Sequence, residues 1–190
     1  MNTNGLTSEE KQTLLAFARE SIVNAVAGRR LPALPENRLT EPLRAQGAAF
    51  VTLTIAGDLR GCIGSLQAYR PLVEDVQQHA VDAALNDYRF QPVSDIEVPL
   101  LEIEISVLTK PEPLRYSSPE ELPKLLKPNQ DGVVLRDGSL SATFLPQVWE
   151  QLPTPEVFLG HLCQKMGVSA DHWRRKLLNV SIYHVEEFKE

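Results

Sequence analysis

The 190-residue sequence has only two cysteines, four histidines and 6% aromatic residues, and it contains no long apolar run. Cys62 and Cys163 are far apart, which predicts reduced thiols rather than a disulfide framework. No apolar segment approaches the ~20 residues that span a bilayer. The first residues lack the basic and apolar regions of a signal peptide. We therefore expect a cytoplasmic protein that does not bind a membrane.

Motifs for metals and nucleotides are also missing. The sequence has no CxxC, HExxH, Walker A or GxGxxG pattern, and its histidines are dispersed. It therefore predicts no metal site and names no cofactor. The formal net charge of -6 disfavours binding to nucleic acid, because a phosphate surface repels an acidic protein on average.

The chain does contain helical and strand patterns that alternate along its length. A capping box at Thr7–Glu10 begins a predicted helix, and hairpins are predicted around Gly57-Asp58 and Asp137-Gly138. Residues 180–188 are predicted to form one closing strand. This order predicts an α+β fold with a mainly antiparallel or mixed sheet and flanking helices. Residues 1–190 are interpreted as a single domain, with two interleaved lobes left as a possibility.

The segment 59-LRGCIGSL-66 places one of the two cysteines between glycines on a predicted strand. Strand alternation puts Arg60 and Cys62 on the same face, and a guanidinium beside a thiol lowers the pKa of the thiol. Gly61 and Gly64 leave backbone amides uncovered, so a substrate oxygen could approach them. The alternative is that Cys62 is a packed core thiol and that the glycines only permit close contact.

Two other segments supply candidate substrate-binding residues. In 87-DYRF-90, Arg89 could hold an anionic ligand through two hydrogen bonds while Asp87 orients it. The alternative is a local ion pair that fixes the loop. Gln147 could bind a ligand by a hydrogen bond, or it could satisfy backbone groups of its own loop.

A predicted strand at 100–108 alternates apolar and polar residues, with Glu102, Glu104 and Ser106 on one face. Two carboxylates in this arrangement could hold a metal or act as acid and base. The simpler interpretation is the solvated side of a sheet.

Several segments together resemble one known family. In chain order they are 59-LRGCIGSL-66, 70-RPLVEDV-76, 87-DYRFQPV-93, 103-IEISVL-108, 142-ATFLPQVWEQLP-153 and 158-FLGHLCQKMG-167. On these residues the sequence resembles the AMMECR-type domain family, and most closely its bacterial branch, AmmeMemoRadiSam system protein A. It departs from the family pattern at His79, where a small amide residue is commoner, and at Tyr88, where a proline is usual.

The resemblance implies an α+β fold with two lobes around a cleft and an activity that is unassigned. It also implies two partners, a Memo-like protein and a radical S-adenosylmethionine protein. Two hypotheses follow. In the first, the protein is a small-molecule enzyme or carrier with Cys62 as nucleophile, Arg60 as its activator, and Arg89 and Gln147 positioning the substrate. In the second, it is a non-catalytic module that binds those partners.

Overall fold

The computed structural model of the chain describes residues 5–34 and 38–190. The described residues form two compact units, one within Met1–Leu108 and Glu186–Glu190 and the other within Thr109–Val185. Helices and antiparallel strands occur in both units, which confirms the predicted α+β fold. The interpretation of residues 1–190 as a single domain stays a prediction.

In chain order, the described helices and strands are α1 (Ser8–Val26), α2 (Glu41–Arg44), β1 (Gln46–Ile55), β2 (Asp58–Gly64), β3 (Arg70–Pro71), α3 (Leu72–Leu85), a 3-10 helix (Val98–Leu100), β4 (Glu102–Leu108), β5 (Glu112–Pro113), α4 (Leu122–Leu125), β6 (Gly132–Asp137), β7 (Leu140–Phe144), a second 3-10 helix (Pro146–Glu150), α5 (Pro155–Lys165), α6 (His172–Arg175), β8 (Asn179–Tyr183) and β9 (Val185–Lys189). Within this part of the chain, every helix is too short or too polar to cross a bilayer.

The first unit is a sheet with the strand order β2-β1-β4-β9, and β3 pairs with the start of β1. The capping box predicted at Thr7 and Glu10 is present at the start of α1. Helices α1 and α3 cover one face of the sheet, where strand and helix side chains form an apolar core. This core includes Leu14, Ile22, Val51, Leu53, Val76, Ile103 and Ile105, all fully buried. The opposite face carries the polar residues of β1 and β4.

The second unit is a four-stranded sheet with the order β5-β8-β6-β7. Its core is centred on Trp149, whose ring stacks on Phe158 with 3.7 Å between centroids and 9° between planes. Cys163 lies in this core and is fully buried, and Trp173 packs in the same cluster.

Both predicted hairpins are present, but each turn is displaced by one residue, to Ala56-Gly57 and to Gly138-Ser139. The first turn is formed by Ala56 and Gly57, whose φ angles are 52° and 86°. Positive φ at both central positions suits the right-handed twist of the flanking strands. The single closing strand predicted over residues 180–188 is wrong, because the chain leaves one sheet as β8 and enters the other as β9 on either side of His184.

Candidate functional site

Cys62 lies on β2, an edge strand of the first sheet, and its side chain is partly buried. It is directly opposite Thr52 of β1, and the Thr52 hydroxyl lies 3.3 Å from the Cys62 Sγ. A hydroxyl that donates a hydrogen bond to sulfur stabilises negative charge there. Thr52 was missed by the sequence analysis, although alternation along 50-FVTLTI-55 already puts Thr52 and Thr54 on one face.

The two glycines of the motif allow close packing around β2. A Cβ atom on Gly61 would lie 2.1 Å from the carbonyl oxygen of Ala83 in α3. A Cβ atom on Gly64 would lie 2.3 Å from the ring of Phe50. These distances support the packing interpretation of both glycines, and their substrate-binding role stays a prediction.

The backbone of Cys62 is bound on its outer side by the pair formed by Asp87 and Arg89. The Cys62 amide donates to Asp87 Oδ2 at 2.9 Å, and Arg89 Nη2 donates to the Cys62 carbonyl oxygen at 3.0 Å. Arg89 also makes two side-chain bonds to Asp87, at 2.9 Å from Nε and 2.6 Å from Nη2. The pair thus occupies the groups that an edge strand leaves free. Cys62, Asp87 and Arg89, predicted from separate segments, therefore lie together.

The ion pair of Asp87 and Arg89 stabilises the charged form of both side chains. Asp87 is only 4% exposed, yet the hydrogen bond from Arg89 holds the pKa of its carboxyl well below the usual range, against the opposing effect of burial. The same bond raises the pKa of Arg89, again against the opposing effect of burial. The Arg89 side chain is 43% exposed, and its Nη1 donates to no acceptor among the described residues. An anion could bind there.

Arg60 is held by a different partner. Its Nε and Nη2 lie 2.8 Å and 3.2 Å from the carboxylate oxygens of Glu97, and this hydrogen bonding lowers the pKa of Glu97 to about 2. The pairing of β1 with β2 shifts at this point, since Gly61 pairs with Leu53 but Leu59 pairs with Thr54.

Arg60 is therefore the extra residue of a bulge, and the same-face argument that placed it beside the thiol does not hold across a bulge. Its role as activator stays a prediction. Among the described residues, the cation that contacts Cys62 is Arg89, and it does so at the backbone carbonyl oxygen.

The polar face of the first sheet continues from Cys62 across β1 to β4. Thr52 pairs with Cys62 on one side and with Glu104 on the other, and Thr54 pairs with Glu102. A groove of about 230 Å³ on this face is lined by Thr52, Thr54, Gly57, Glu102, Ile103, Glu104 and Lys189. Cys62 is not part of that lining but is hydrogen-bonded to Thr52, which is. The two glutamates were predicted to share a face, whereas their link to Cys62 depends on strand order.

The remaining candidates lie elsewhere. Gln147 is exposed on the 3-10 helix of the second unit, and its ligand contact stays a prediction. Burial raises the pKa of the Cys163 thiol. His79 is 6% exposed with Nε2 3.3 Å from Asp75 Oδ1, but neither ring nitrogen makes a well-aligned hydrogen bond to a described residue. No group of three or more potential metal ligands occurs among residues 5–34 and 38–190.

Comparison with known proteins gives consistent matches along the whole chain. A family model described as AMMECR1 matches residues 15–188. A protein of Thermofilum pendens is 35% identical, with 97% of this chain and 92% of that protein covered. Protein MJ0810 of Methanocaldococcus jannaschii is 32% identical, with 97% and 92% covered.

Among solved structures, the crystal structure of the uncharacterized protein PH0010 from Pyrococcus horikoshii superposes with a TM-score of 0.76 at 33% identity. The match covers 93% of this chain and 89% of that one. The names of these relatives specify no reaction, so any activity has to be argued from the residues of the site.

Proposed function

Because the chain belongs to the AMMECR1 family, whose matched relatives bear no named activity, we propose from its own geometry that it is a thiol-dependent enzyme or carrier for a small anionic molecule. Cys62 is the nucleophile or the point of covalent attachment. One observation carries the proposal. The Thr52 hydroxyl donates a hydrogen bond to the sulfur of Cys62, and the Arg89 guanidinium donates one to the carbonyl oxygen of Cys62.

Each of these neighbours has a chemical role. The sulfur of Cys62 is the nucleophile, and the Thr52 hydroxyl, which donates a hydrogen bond to it, holds it in position. Asp87 fixes the guanidinium of Arg89 through two hydrogen bonds, so that the exposed Nη1 is held in one position. A carboxylate or phosphate bound to Nη1 would place the rest of a small substrate beside the sulfur.

The proposal is tested by alkylating the native protein with iodoacetamide and with iodoacetate and locating the modified cysteine by mass spectrometry. We expect both reagents to modify Cys62 before the protein unfolds, and Cys163 to react only after unfolding. We also expect Cys62 to prefer the anionic reagent relative to free cysteine, and this preference to fall as salt is added, because salt screens the charge of Arg89.

Substitution provides the matched comparison. Arg89→Gln removes the charge beside Cys62 and should lower the ratio of the iodoacetate rate to the iodoacetamide rate several-fold. Arg175→Gln removes an exposed arginine of the second unit and should leave the ratio unchanged. Circular dichroism and a melting curve show whether each variant is folded. If Cys62 resists both reagents until the wild-type protein unfolds, the thiol is packed and the proposal fails.

A second candidate is favoured by the exposure of Tyr88. This residue stands between Asp87 and Arg89 and is 94% exposed. An aromatic side chain next to a charged arginine is typical of binding hot spots. We propose that this edge docks a partner, and that the partners are the Memo-like protein and the radical S-adenosylmethionine protein implied by the resemblance. Both proposals assume the cytoplasm, where thiols stay reduced.

Co-purification with the Memo-like protein tests this second candidate. We expect binding to survive Cys62→Ser and to weaken in Arg89→Ala and Tyr88→Ala. Tyr69→Ala is the control, because Tyr69 is also exposed in the first unit but lies outside the Cys62 site. Equal binding by all four variants would mean that a different surface, or no surface, binds this partner.

A further inference from the structure

Glu104 lies in the same cross-strand row as Cys62. Thr52 of β1 pairs with Cys62 of β2 on one side and with Glu104 of β4 on the other. Because neighbouring strands are about 4.8 Å apart, two strand spacings separate the backbones of Cys62 and Glu104 by roughly 10 Å. All three side chains project from the polar face, since their neighbours Val51 and Ile103 point into the apolar core.

This separation is too large for Glu104 to bond directly to the thiol, but it suits a substrate lying over Thr52. A carbonyl carbon in position for attack lies roughly 3 Å from the nucleophile. A carbonyl oxygen that is hydrogen-bonded to a carboxyl group lies about 3 Å from that group. One carbonyl group can therefore lie between Cys62 and Glu104. The groove lined by Thr52 and Glu104 provides open space on this side of the sheet.

An independent observation on the same face is the hydroxyl of Ser106. Ser106 follows Glu104 by two residues on β4 and is only 6% exposed. It pairs with Phe50, one row from Thr52, and its hydroxyl makes no hydrogen bond to any residue in the described part of the chain. Its oxygen is not among the enclosed side-chain atoms of the described residues that lack a partner, so it reaches solvent and offers a polar group to a ligand lying on this face.

We infer that Glu104 is the acid–base residue of the Cys62 site, and that the substrate is a small carboxylate bearing a carbonyl group. This inference rests on the proposed function. Arg89 binds the carboxylate, and a water molecule carries the thiol proton to Glu104. The sulfur then forms a bond to the carbonyl carbon, the π electrons of the C=O bond move to oxygen, and that oxygen takes the proton from Glu104. The product is a hemithioacetal or hemithioketal, with no other reactant needed.

The test compares two reagents that differ in their need for a proton. 4-Oxopent-2-enoate is a carboxylate-bearing enone, and the addition of a thiolate to it needs a proton on the developing enolate. Sulfur displaces iodide from iodoacetamide without such a proton. Rates at Cys62 are measured by mass spectrometry from pH 6 to 9 in wild type, Glu104→Gln and Glu102→Gln. Glu102 lies opposite Thr54 instead of Thr52, which makes it the control for register.

We expect Glu104→Gln to slow enone addition about a hundredfold, at the low end of the effect of a general acid, and to leave the iodoacetamide rate unchanged. Glu102→Gln alters the same groove but faces Thr54, so it should slow enone addition less than Glu104→Gln does. An unchanged enone rate in Glu104→Gln, or an equal loss with both reagents, would overturn the assignment of Glu104 while leaving Cys62 reactive. If neither reagent modifies Cys62 in wild type, the proposed function itself fails.

Discussion

The two cysteines of this chain have opposite surroundings. Cys62 is partly buried on an edge strand of the first unit, where a hydroxyl contacts its sulfur and an ion pair binds its backbone. Cys163 is fully buried on α5 of the second unit, packed in the cluster that contains Phe158 and Trp173, and burial raises the pKa of its thiol. Reactivity in cysteine depends on access and on nearby charge, so only Cys62 has the surroundings of a functional thiol.

The same contrast extends to buried polar groups. In the first unit Glu10, Ser21, Asp75, His79, Asp87 and Ser106 are buried, whereas in the described part of the second unit only Asp131 is. Burying polar groups is costly unless they are paired, and neither ring nitrogen of His79 has a hydrogen-bond partner among the residues described. The first unit therefore combines a less favourable interior with the candidate site, and the second is a conventional apolar core.

The largest effect on stability is expected at Asp87. Asp87→Asn removes a buried charge that binds both Arg89 and the amide of Cys62, and should lower the free energy of unfolding by about 3 kcal/mol. Urea unfolding at pH 7 measures this. Asp171→Asn in the second unit is the control, because its ion pair with Arg175 is exposed and should not contribute measurably. Similar losses in both variants would remove the distinction between the two ion pairs.

A smaller effect on the free energy of unfolding is expected when one glycine of each unit is replaced by alanine, and its sign differs between the two units. Gly61→Ala places a Cβ atom 2.1 Å from the Ala83 carbonyl oxygen, so β2 or α3 must move, at a cost of about 2 kcal/mol. In Gly160→Ala, on α5, the new Cβ atom lies 3.5 Å from the backbone oxygen of Ala170, which is an ordinary van der Waals contact.

There alanine should stabilise the helix by about 0.5 kcal/mol. Thermal melting of both variants checks these signs. A neutral Gly61→Ala variant would show that β2 does not need its close approach to α3.

The smallest effect is expected in the dependence of stability on pH, and it differs in direction between the units. Glu97 has a folded pKa of about 2, below its ordinary value of 4.5, so its stabilisation is complete above pH 4.5 and is lost as the pH falls toward 2. Cys163 has a raised pKa, so its contribution is complete below pH 9.0 and is lost as the pH rises through the folded value.

The midpoint of urea unfolding, measured at intervals from pH 2 to 11, gives a profile of stability against pH with an acidic limb and an alkaline limb. Arg60→Gln should flatten the acidic limb, because the hydrogen bonds that lower the pKa of Glu97 come first from Arg60. Cys163→Ala should flatten the alkaline limb. An acidic limb that stays unchanged in Arg60→Gln would contradict the first assignment.

Local features of the fold were predictable from the sequence. The capping box at Thr7, the hairpin near Gly57 and the face shared by Glu102 and Glu104 depend on residues close together in the chain. Features that depend on distant residues were not. A bulge turns Arg60 to Glu97, and the break at His184 divides the predicted closing strand between two sheets.

The candidate site shows the same division. Cys62, Asp87 and Arg89 were each identified from their own segment, but that they lie together depends on how the loop after α3 folds back onto β2. Thr52 and Glu104 lie near Cys62 because β1 pairs with both β2 and β4, and local periodicity in the sequence does not determine that strand order.

The ion pair of Asp87 and Arg89 has a consequence for self-association. An uncovered edge strand can template a strand from another molecule, which leads to fibrous aggregates. Here the amide and the carbonyl of Cys62 are already saturated by side chains, so a foreign peptide cannot extend the ladder at that residue. Loss of this pair would therefore lower solubility as well as reactivity, because the freed amide and carbonyl of Cys62 could pair with a strand of another copy of the chain.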